Sequence, residues 1–325
     1  MVTRQPQSTR TRLTISLVFG LVALLRVAPA HAGQGGQIVF QSTVDDNTDI
    51  YVMDEDGTDV RRLTEDPGYD GQPRWSPGGK RIVFVSYRGD VRNIYLMDAD
   101  GGNLRRLTDN PEFVWAPAWS PDGQRIAYYA TYEAYGIHIM DSDGRNVRFL
   151  TDAPDVPGHP GNHFQREYGL DWSPDGTTIL FNTHTSDTFG HIWAIDPDGQ
   201  NARNLSDDGV DTCLAWSPDG KRILFEAHEQ DHGIYTMRPD GRGRHEVLVP
   251  AEGACPRWSP DGREIVFWMD GDLHIMSDTG KNLRRLVRLP GAGRVPDWFD
   301  PAHARAVRPS GKTPITWSRL KQPTG

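Results

Sequence analysis

The sequence predicts an all-β fold built from repeated units of short strands, and three observations support this prediction. The phrase W-S-P-D-G recurs six times, its last copy degenerate, with the tryptophans Trp75, Trp119, Trp172, Trp216, Trp258 and Trp298. A second phrase of the form I-Y-x-M-D-x-D-G alternates with the first. The 325-residue chain also holds 34 glycines and 24 prolines, and clear helix-period apolar stripes are hard to find, which favours turns and short strands.

Each repeat contains four apolar or alternating stretches separated by turn residues. The tryptophans stand 44, 53, 44, 42 and 40 residues apart. An apolar run such as RIVFVS lies between the two phrases, and RRLT or a relative follows each D-G. Both phrases end in turns, because proline presets φ and glycine accepts a positive φ. Four strands in each repeat of this length indicate a β-propeller, in which the repeated tryptophan is expected to pack between blades.

The two ends of the repeat region predict how the ring closes. QIVFQS, DIYVMD and VRRLT form three strands with no W-S-P strand before them, and the strand at 296–298 has no blade after it. Joining these strands removes a free sheet edge. The sequence therefore predicts a six-bladed β-propeller over residues 33–300, with four antiparallel strands per blade and a first blade closed by both chain ends.

Residues 1–32 are predicted to be a signal peptide. Three arginines precede the apolar run Leu13 to Leu25, which is too short to span a bilayer, and AHA at 30–32 forms an A-x-A cleavage site. No later segment is apolar for long enough to cross a membrane. We therefore expect a protein of the periplasm, or a secreted one, without a transmembrane segment.

The charge of the chain restricts its partners. Residues 33–325 carry 31 Lys and Arg against 44 Asp and Glu. A surface this acidic repels phosphate backbones, so we expect no nucleic-acid partner. The tail at 301–325 is different, because it holds five basic residues and no acidic one. This basic C-terminal tail is either a frayed end, a segment lying along the acidic propeller, or an arm that binds a partner or a surface.

The two repeated phrases resemble those of the TolB-like β-propeller family, and the resemblance runs from Gln37 to Asp300. It implies a non-enzymatic, exported binding module whose partner is a protein or peptide of the cell envelope, and we expect a monomer. The family member of the Tol–Pal system carries an α/β domain before its propeller. Here the first strand begins five residues after the predicted cleavage site, so that domain is expected to be absent, which argues against a Tol–Pal role.

The candidate binding site is predicted on the loop face, which carries the inter-blade loops and the hairpin loops between second and third strands. The opposite face, the turn face, consists of near-identical S-P-D-G and D-x-D-G turns. Aromatic side chains on loops held by a rigid scaffold are the usual anchors for recognition. The predicted contact residues are Trp115, Tyr132, Tyr135, His163, Phe164, His184 and His228.

The residue before each repeated tryptophan is expected to line the central channel. Four of these six residues are charged, namely Arg74, Asp171, Arg257 and Asp297. One interpretation is a salt-bridge girdle that stabilises the closure of the ring. The other is a charged mouth at the centre of the loop face that holds a peptide terminus or a small polar ligand.

A metal-assisted polysaccharide lyase or hydrolase is the alternative hypothesis, and it leaves open whether the protein is an enzyme. Six loop histidines could bind a divalent metal such as Ca, Mn or Zn on the loop face, namely His159, His163, His184, His191, His228 and His232. Second strands of adjacent blades stand on the order of 10 Å apart, however, which is too far for one ligand sphere at about 2 Å. We therefore expect no cofactor and solvated loop histidines.

Two further motifs bear on catalysis. Residues 228–232 read H-E-x-x-H, a zinc-hydrolase motif when it lies on a helix. Its place between two predicted strands is a hairpin loop, where an i,i+4 spacing is not expected to bring both rings to one side. The chain contains no G-x-S-x-G, which argues against a serine hydrolase.

Cys213 and Cys255 each precede a repeated tryptophan by three residues. They therefore occupy equivalent points on the inner strands of adjacent blades. In a six-fold ring the spacing of neighbours equals the radius, which predicts Cα atoms roughly 6 to 9 Å apart, at the edge of disulfide reach. Export into an oxidising compartment permits a disulfide between them.

Overall fold

The computed structural model describes residues 35–89, 91–109, 113–130, 136–150, 169–184, 189–206, 211–228, 232–248, 255–289 and 291–304. Three groups of predictions lie outside these residues: the signal peptide, the basic tail from residue 305 onward, and part of the candidate site. The site residues outside are Tyr132, Tyr135, His159, His163 and Phe164, together with the side chain of His184.

Six antiparallel sheets of four strands each are formed by the described residues. Blade one contains β1 (Gln37–Val44), β2 (Asn47–Asp54), β3 (Arg61–Arg62) and, from the other chain end, β24 (Ala292–Phe299). Blade two contains β4 (Asp70–Trp75), β5 (Arg81–Ser86), β6 (Asn93–Asp98) and β7 (Arg105–Arg106). Blade three contains β8 (Val114–Trp119), β9 (Arg125–Ala130), β10 (Gly136–Asp141) and β11 (Arg148–Phe149).

The remaining three blades follow in chain order. Blade four contains β12 (Leu170–Trp172), β13 (Ile179–His184), β14 (Phe189–Ile195) and β15 (Arg203–Asn204). Blade five contains β16 (Asp211–Trp216), β17 (Ile223–Ala227), β18 (Gly233–Met237) and β19 (His245–Leu248). Blade six contains β20 (Arg257–Trp258), β21 (Glu264–Met269), β22 (Asp272–Ser277) and β23 (Arg284–Val287). A short helix, α1 (Pro301–Ala304), follows β24.

Blade one confirms the predicted closure of the ring. Its strand order is β24-β1-β2-β3, and the antiparallel register pairs Ile38 with Trp298 and Val39 with Asp297. The last strand of the chain is therefore the inner strand of the first blade. The sequence prediction of an all-β propeller with six blades of four strands is confirmed.

The repeated tryptophans pack between blades, as predicted. Trp75 of blade two lies 5.7 Å, centroid to centroid, from Phe299 of blade one. An arginine at the start of a second strand covers the tryptophan of the following blade in several places: Arg125 lies 4.8 Å from the Trp172 ring and Arg222 lies 4.4 Å from the Trp258 ring. These contacts bury the indoles and add a cation–π attraction.

The glycine of each D-x-D-G turn permits close approach between blades. Gly144 of blade three has a φ of +91°, and a Cβ atom there would lie 2.7 Å from the carbonyl oxygen of Leu107 in blade two. Gly199 repeats the contact with Leu150, at 2.8 Å. The same contact recurs at the other four turns, so it encircles the ring: Gly57 with Leu286, Gly101 with Leu63, Gly241 with Leu205 and Gly280 with Val247.

The inner strands share a β-bulge three residues before the tryptophan. The pairing register shifts at this point in blades one, two, three and five. Five of the residues concerned have a positive φ between 45° and 55°: Gln72, Ala116, Cys213, Cys255 and Val295. Such a bulge re-aims the side chain at the extra residue. In this protein it directs a ring of side chains to the channel.

None of the helices in the described part of the chain is both long and apolar enough to cross a bilayer.

Candidate functional site

A pocket of about 290 Å³ lies at the turn-face end of the central channel. Its charged residues are the four predicted from the positions before the tryptophans, Arg74, Asp171, Arg257 and Asp297, together with Asp300, whose carboxylate is hydrogen-bonded to the ring of His303. Its walls include prolines of four S-P turns, namely Pro77, Pro121, Pro218 and Pro260. The structure thus brings together charged side chains from four inner strands inside a largely apolar collar.

The four charged residues open onto the turn face, and the prediction that they line a mouth on the loop face was wrong. Each inner strand runs toward its S-P-D-G turn, so the residue before the tryptophan lies near the turn end. On the loop-face side the channel narrows to a cavity of about 20 Å³, which the bulge residues Gln72, Ala116, Cys213, Cys255 and Val295 help to line. The bulges therefore separate the charged pocket from the loop face.

Of the predicted salt-bridge girdle, the described residues form one ion pair, between Asp297 and Arg74. The carboxylate of Asp297 accepts a hydrogen bond from the backbone N–H of Trp75 at 2.7 Å. It also lies 3.7 Å from Nη1 of Arg74. Burial raises the pKa of Asp297, and the positive charge of Arg74 opposes this rise.

Asp171 repeats the same contact between blades four and five. Its carboxylate accepts a hydrogen bond from the backbone N–H of Trp216 at 2.7 Å. Burial raises the pKa of Asp171 to about 7, while Arg74 and the Trp216 hydrogen bond oppose the rise and Asp297 adds to it. Asp171 is therefore partly protonated near neutral pH, which reduces the negative charge that it contributes to the pocket.

Arg257 is the second arginine of the channel, and it has no acidic partner among the described residues. It is 7% exposed, and its Nη1 donates hydrogen bonds to the carbonyl oxygens of Leu214, Cys213 and Pro256. Its Nε is buried without a hydrogen-bond partner in the described structure. The predicted salt-bridge girdle therefore includes Arg74 and Asp297 but not Arg257. Arg257 adds a positive charge to the pocket that no carboxylate of the described residues pairs with.

Cys213 and Cys255 form a disulfide, the bond that the sequence allowed. Their Cα atoms lie 4.9 Å apart, closer than the predicted 6 to 9 Å. The bulge explains the difference, because both cysteines have a positive φ and turn toward the channel. The disulfide joins blade five to blade six, which confirms the blade register inferred from the repeats.

Trp115 is not an exposed loop anchor, contrary to the prediction. It lies inside β8, is 6% exposed and stacks on Tyr129 with ring centroids 5.7 Å apart. Tyr129 lies in β9, the adjacent strand of the same blade, and is the cross-strand partner of Trp115, so the indole packs on that strand rather than being presented to solvent. Its role is in packing on the side of the loop face.

The loop face instead brings together Glu226, His228 and His232 of blade five. Nε2 of His232 lies 2.8 Å and Nε2 of His228 lies 3.3 Å from Oε1 of Glu226. The two imidazole rings are 4.8 Å apart. Residues 228–232 connect two strands, as predicted, but the expectation that a loop would keep the two rings apart was wrong.

Of the other histidines in the loop-face hypothesis, His191 is the one whose side chain the structure describes, and it is not part of this cluster. His191 of β14 lies 2.7 Å, through Nδ1, from the carbonyl oxygen of Ser206. Glu226 was missed as a site residue. A signal was present, because Glu226 is the fifth residue of RILFEA and the equivalent residues in QIVFQS and TILFNT are the polar Gln41 and Asn182.

The geometry defines a class of protein: a closed six-bladed β-propeller with a charged pocket at one end of its channel. Residues 8–157 match a family model described as the TolB beta propeller domain. No curated protein sequence matches the chain. The matched residues, the repeated phrases and the closed ring make the chain similar to the TolB-like β-propellers.

Solved structures share this fold. TolB from Acinetobacter baumannii has a TM-score of 0.70 and 22% identity, and the match covers 81% of this chain and 66% of that chain. A protein assigned as TolB from Agrobacterium tumefaciens has a TM-score of 0.62 and 21% identity over 80% and 91% of the two chains. The oligogalacturonate lyase from Vibrio parahaemolyticus has a TM-score of 0.51 and 16% identity over 77% and 74%. The chain thus spans just under two thirds of the A. baumannii protein.

Proposed function

We propose that this propeller is an exported, non-enzymatic binding module of the cell envelope. Its turn-face pocket holds an acidic side chain or the C-terminal carboxylate of a protein or peptide partner. The observation that carries the proposal is Arg257, a buried cation that lines the pocket and has carbonyl oxygens but no carboxylate as partners among the described residues.

The positive charge of Arg257 favours an anionic group in the pocket. A guanidinium keeps its charge in proteins and matches a carboxylate in shape and hydrogen-bonding pattern. Arg74 is already paired with Asp297, and Asp171 is partly neutral because its pKa is raised to about 7. Arg257 is therefore the cation that an incoming carboxylate would contact.

The size and walls of the pocket suit a short piece of polypeptide. Ligand pockets commonly measure about 300 to 1,000 Å³, so a volume of about 290 Å³ accommodates one or two residues rather than a whole oligosaccharide. Proline and tryptophan side chains form the collar, and such surfaces bury apolar atoms beside a bound carboxylate. The rest of the partner would then lie across the turn face.

Export rests on residues 1–32, whose basic start, apolar run and A-x-A site are those of a signal peptide. The resemblance to TolB-like propellers supports the same compartment. Fractionation of cells that produce the full chain tests this part of the proposal. We expect the mature protein, shortened by 32 residues, in the periplasmic fraction or the medium, and a full-length cytoplasmic product would contradict export.

Site-specific photo-cross-linking in a cell-envelope extract tests the binding site. A benzophenone amino acid replaces Pro260 at the rim of the pocket, and Tyr87 on the loop face serves as the matched control position. We expect a discrete cross-linked partner from position 260, reduced at least about tenfold when Arg257→Met removes the charge at similar volume. Cross-links from position 87 alone, or a yield that Arg257→Met leaves unchanged, would contradict the proposed site.

A further inference from the structure

The Glu226–His228–His232 cluster has the composition of a metal site. Two imidazole nitrogens point at one carboxylate oxygen, and the three candidate ligand atoms all lie within 4.8 Å of one another. Modest rotation of the side chains would place all three at about 2.0 to 2.2 Å from a single ion, the usual length of Zn–N and Zn–O bonds.

The structural task of Glu226 does not require a carboxylate. Its Oε2 accepts a hydrogen bond from the backbone N–H of Cys255, the bulge residue of the next blade, at 3.1 Å. Gln41 performs the same task for the bulge residue Gln72, with a neutral amide oxygen at 2.8 Å. Blade five thus has the negative charge of Glu226 at the position where blade one has the neutral Gln41. In blade five, the imidazoles of His228 and His232 also lie beside the second oxygen of that carboxylate, Oε1.

The surroundings hold the carboxylate in position for a ligand role. Because the Cys255 N–H occupies Oε2, Oε1 faces the two rings. The disulfide fixes Cys255 relative to blade five, so the acceptor and its donor keep their spacing. The hydroxyl of Thr212 lies 2.8 Å from Nε2 of His228. Because Nε2 is also the candidate ligand atom of His228, the ion would displace this hydroxyl contact.

The site is also accessible to an ion from solvent. The Glu226 side chain is 7% exposed, whereas those of His228 and His232 are 27% and 34% exposed. The carboxylate therefore lies at the base and the imidazoles at the rim, on the loop face. A divalent cation would enter past the rings and bind at the two Nε2 atoms, with each neutral imidazole carrying its proton on Nδ1 instead.

We propose that Glu226, His228 and His232 form a binding site for one divalent transition-metal ion, with Zn²⁺ the best match. Two nitrogen ligands and one carboxylate suit zinc and leave a coordination position open for water or another ligand. Calcium and magnesium are disfavoured, because they take oxygen ligands. The site belongs to a single hairpin, and it lies on the opposite face of the ring from Arg257.

Zinc titration of the oxidised, chelator-treated protein by calorimetry tests the proposal. We expect one equivalent of Zn²⁺ to bind and Ca²⁺ not to bind at the same concentrations. Loss of a ligand should weaken binding more than the 10- to 100-fold typical of losing an outer contact, so Glu226→Gln and His232→Ala should each weaken it by more than about 100-fold. Absence of stoichiometric zinc binding would overturn the site.

Two controls separate a metal site from a structural cluster. Glu226→Gln should leave the melting temperature of the metal-free protein nearly unchanged, because glutamine can accept the Cys255 N–H as Gln41 accepts that of Gln72. His191→Ala removes a nearby histidine outside the cluster and should leave zinc affinity unchanged. Equal affinities in the wild type, Glu226→Gln and His232→Ala would assign the zinc elsewhere and overturn the proposal.

The cysteines require a separate test, because Cys213 and Cys255 also lie within 4.8 Å of a Glu226 oxygen. Co²⁺ in place of Zn²⁺ reports the ligand atoms by absorption. We expect d–d bands without a thiolate charge-transfer band, and a thiolate band or binding that needs prior reduction would overturn the assignment. Cross-linking from position 260 should not depend on zinc, so this proposal and the proposed function can fail independently.

Discussion

The carboxylate of Asp297 accepts a hydrogen bond from the backbone N–H of Trp75 across 222 positions of sequence. Asp297 lies in the last strand of the chain, and Trp75 ends the inner strand of blade two. The contact therefore joins the closure strand to the next blade, inside the channel. Asp171 and Trp216 make the same contact between two blades that are joined by continuous chain.

Asp297→Ala should lower the free energy of unfolding by about 3 kcal/mol, because it leaves a buried N–H and the Arg74 guanidinium without their partner. Asp297→Asn keeps an acceptor for the Trp75 N–H and should cost about 1 kcal/mol. Urea denaturation measures both. Equal losses in the two variants would show that the charge, rather than the acceptor, is what the closure requires.

The stability of the protein should depend on pH through Asp171. Its pKa is about 7 in the folded protein against 3.8 for an ordinary aspartate, so between these values the folded state holds a proton that the unfolded chain releases. Stability from this group is therefore greatest below about pH 4, falls as pH rises to about 7, and is constant above it. The whole change is at most about 4 kcal/mol.

Asp171→Asn isolates this effect, because asparagine keeps an acceptor for the Trp216 N–H and does not titrate. As the pH rises from 4 to 7, the unfolding free energy of the wild type should decrease relative to that of the variant. Chemical denaturation at several pH values gives this difference. A difference that stays flat across the window would mean that Asp171 titrates at its ordinary pKa.

Removing the disulfide should destabilise the ring. The bond closes a loop between positions 42 residues apart, for which the chain-entropy model gives about 4 kcal/mol, within a common range of about 2 to 5 kcal/mol. We expect a loss of this size in the double variant Cys213→Ser, Cys255→Ser, measured by urea denaturation. A thiol reductant should destabilise the wild type to the same degree and leave the double variant unaffected.

Two glycines provide a matched test of inter-blade approach. Gly144→Ala would place a Cβ atom 2.7 Å from the Leu107 carbonyl oxygen at a φ of +91°, whereas Gly123→Ala, at a φ of +67°, meets Pro77 Cδ at an ordinary 3.7 Å. The strained backbone alone costs about 1 to 2 kcal/mol. Gly123→Ala should cost about this amount in thermal or urea unfolding, and Gly144→Ala should cost clearly more. The reverse order would refute the inter-blade role.

The fold could be predicted because the turns and strands leave a local signal. Proline and glycine at fixed offsets place the hairpins of the turn face, and the unpaired strands at the two ends of the repeat region predict blade one. The pair Cys213 and Cys255 followed from the same register. The Cα–Cα separation predicted for the two cysteines was too long because it did not include the bulge. Bulge residues such as Ala116 and Val295 are not of types that usually adopt a positive φ, so the sequence did not indicate the bulge.

The candidate sites depended on contacts between distant residues and were harder to predict. The charged residues before the tryptophans were identified correctly as channel residues. They were assigned to the loop face instead of the turn face, because no sequence pattern indicates that the bulges narrow the channel. Trp115 was placed on a loop because its burial depends on Tyr129 in the neighbouring strand. His228 and His232 meet because Glu226 gives both rings a common acceptor, which spacing in a loop does not reveal.

The glycine contacts that encircle the ring have a mechanical consequence. In an open stack of repeats, an end unit can fray while the others remain folded. Here every blade lies between two neighbours, and the pairing of β24 with β1 removes the ends from which fraying would begin. Loss of any one blade would therefore open the circle and unseat both of its neighbours, so the propeller should unfold as one cooperative unit. New chain ends placed in an exposed outer loop, with the old ends joined, would preserve that circle.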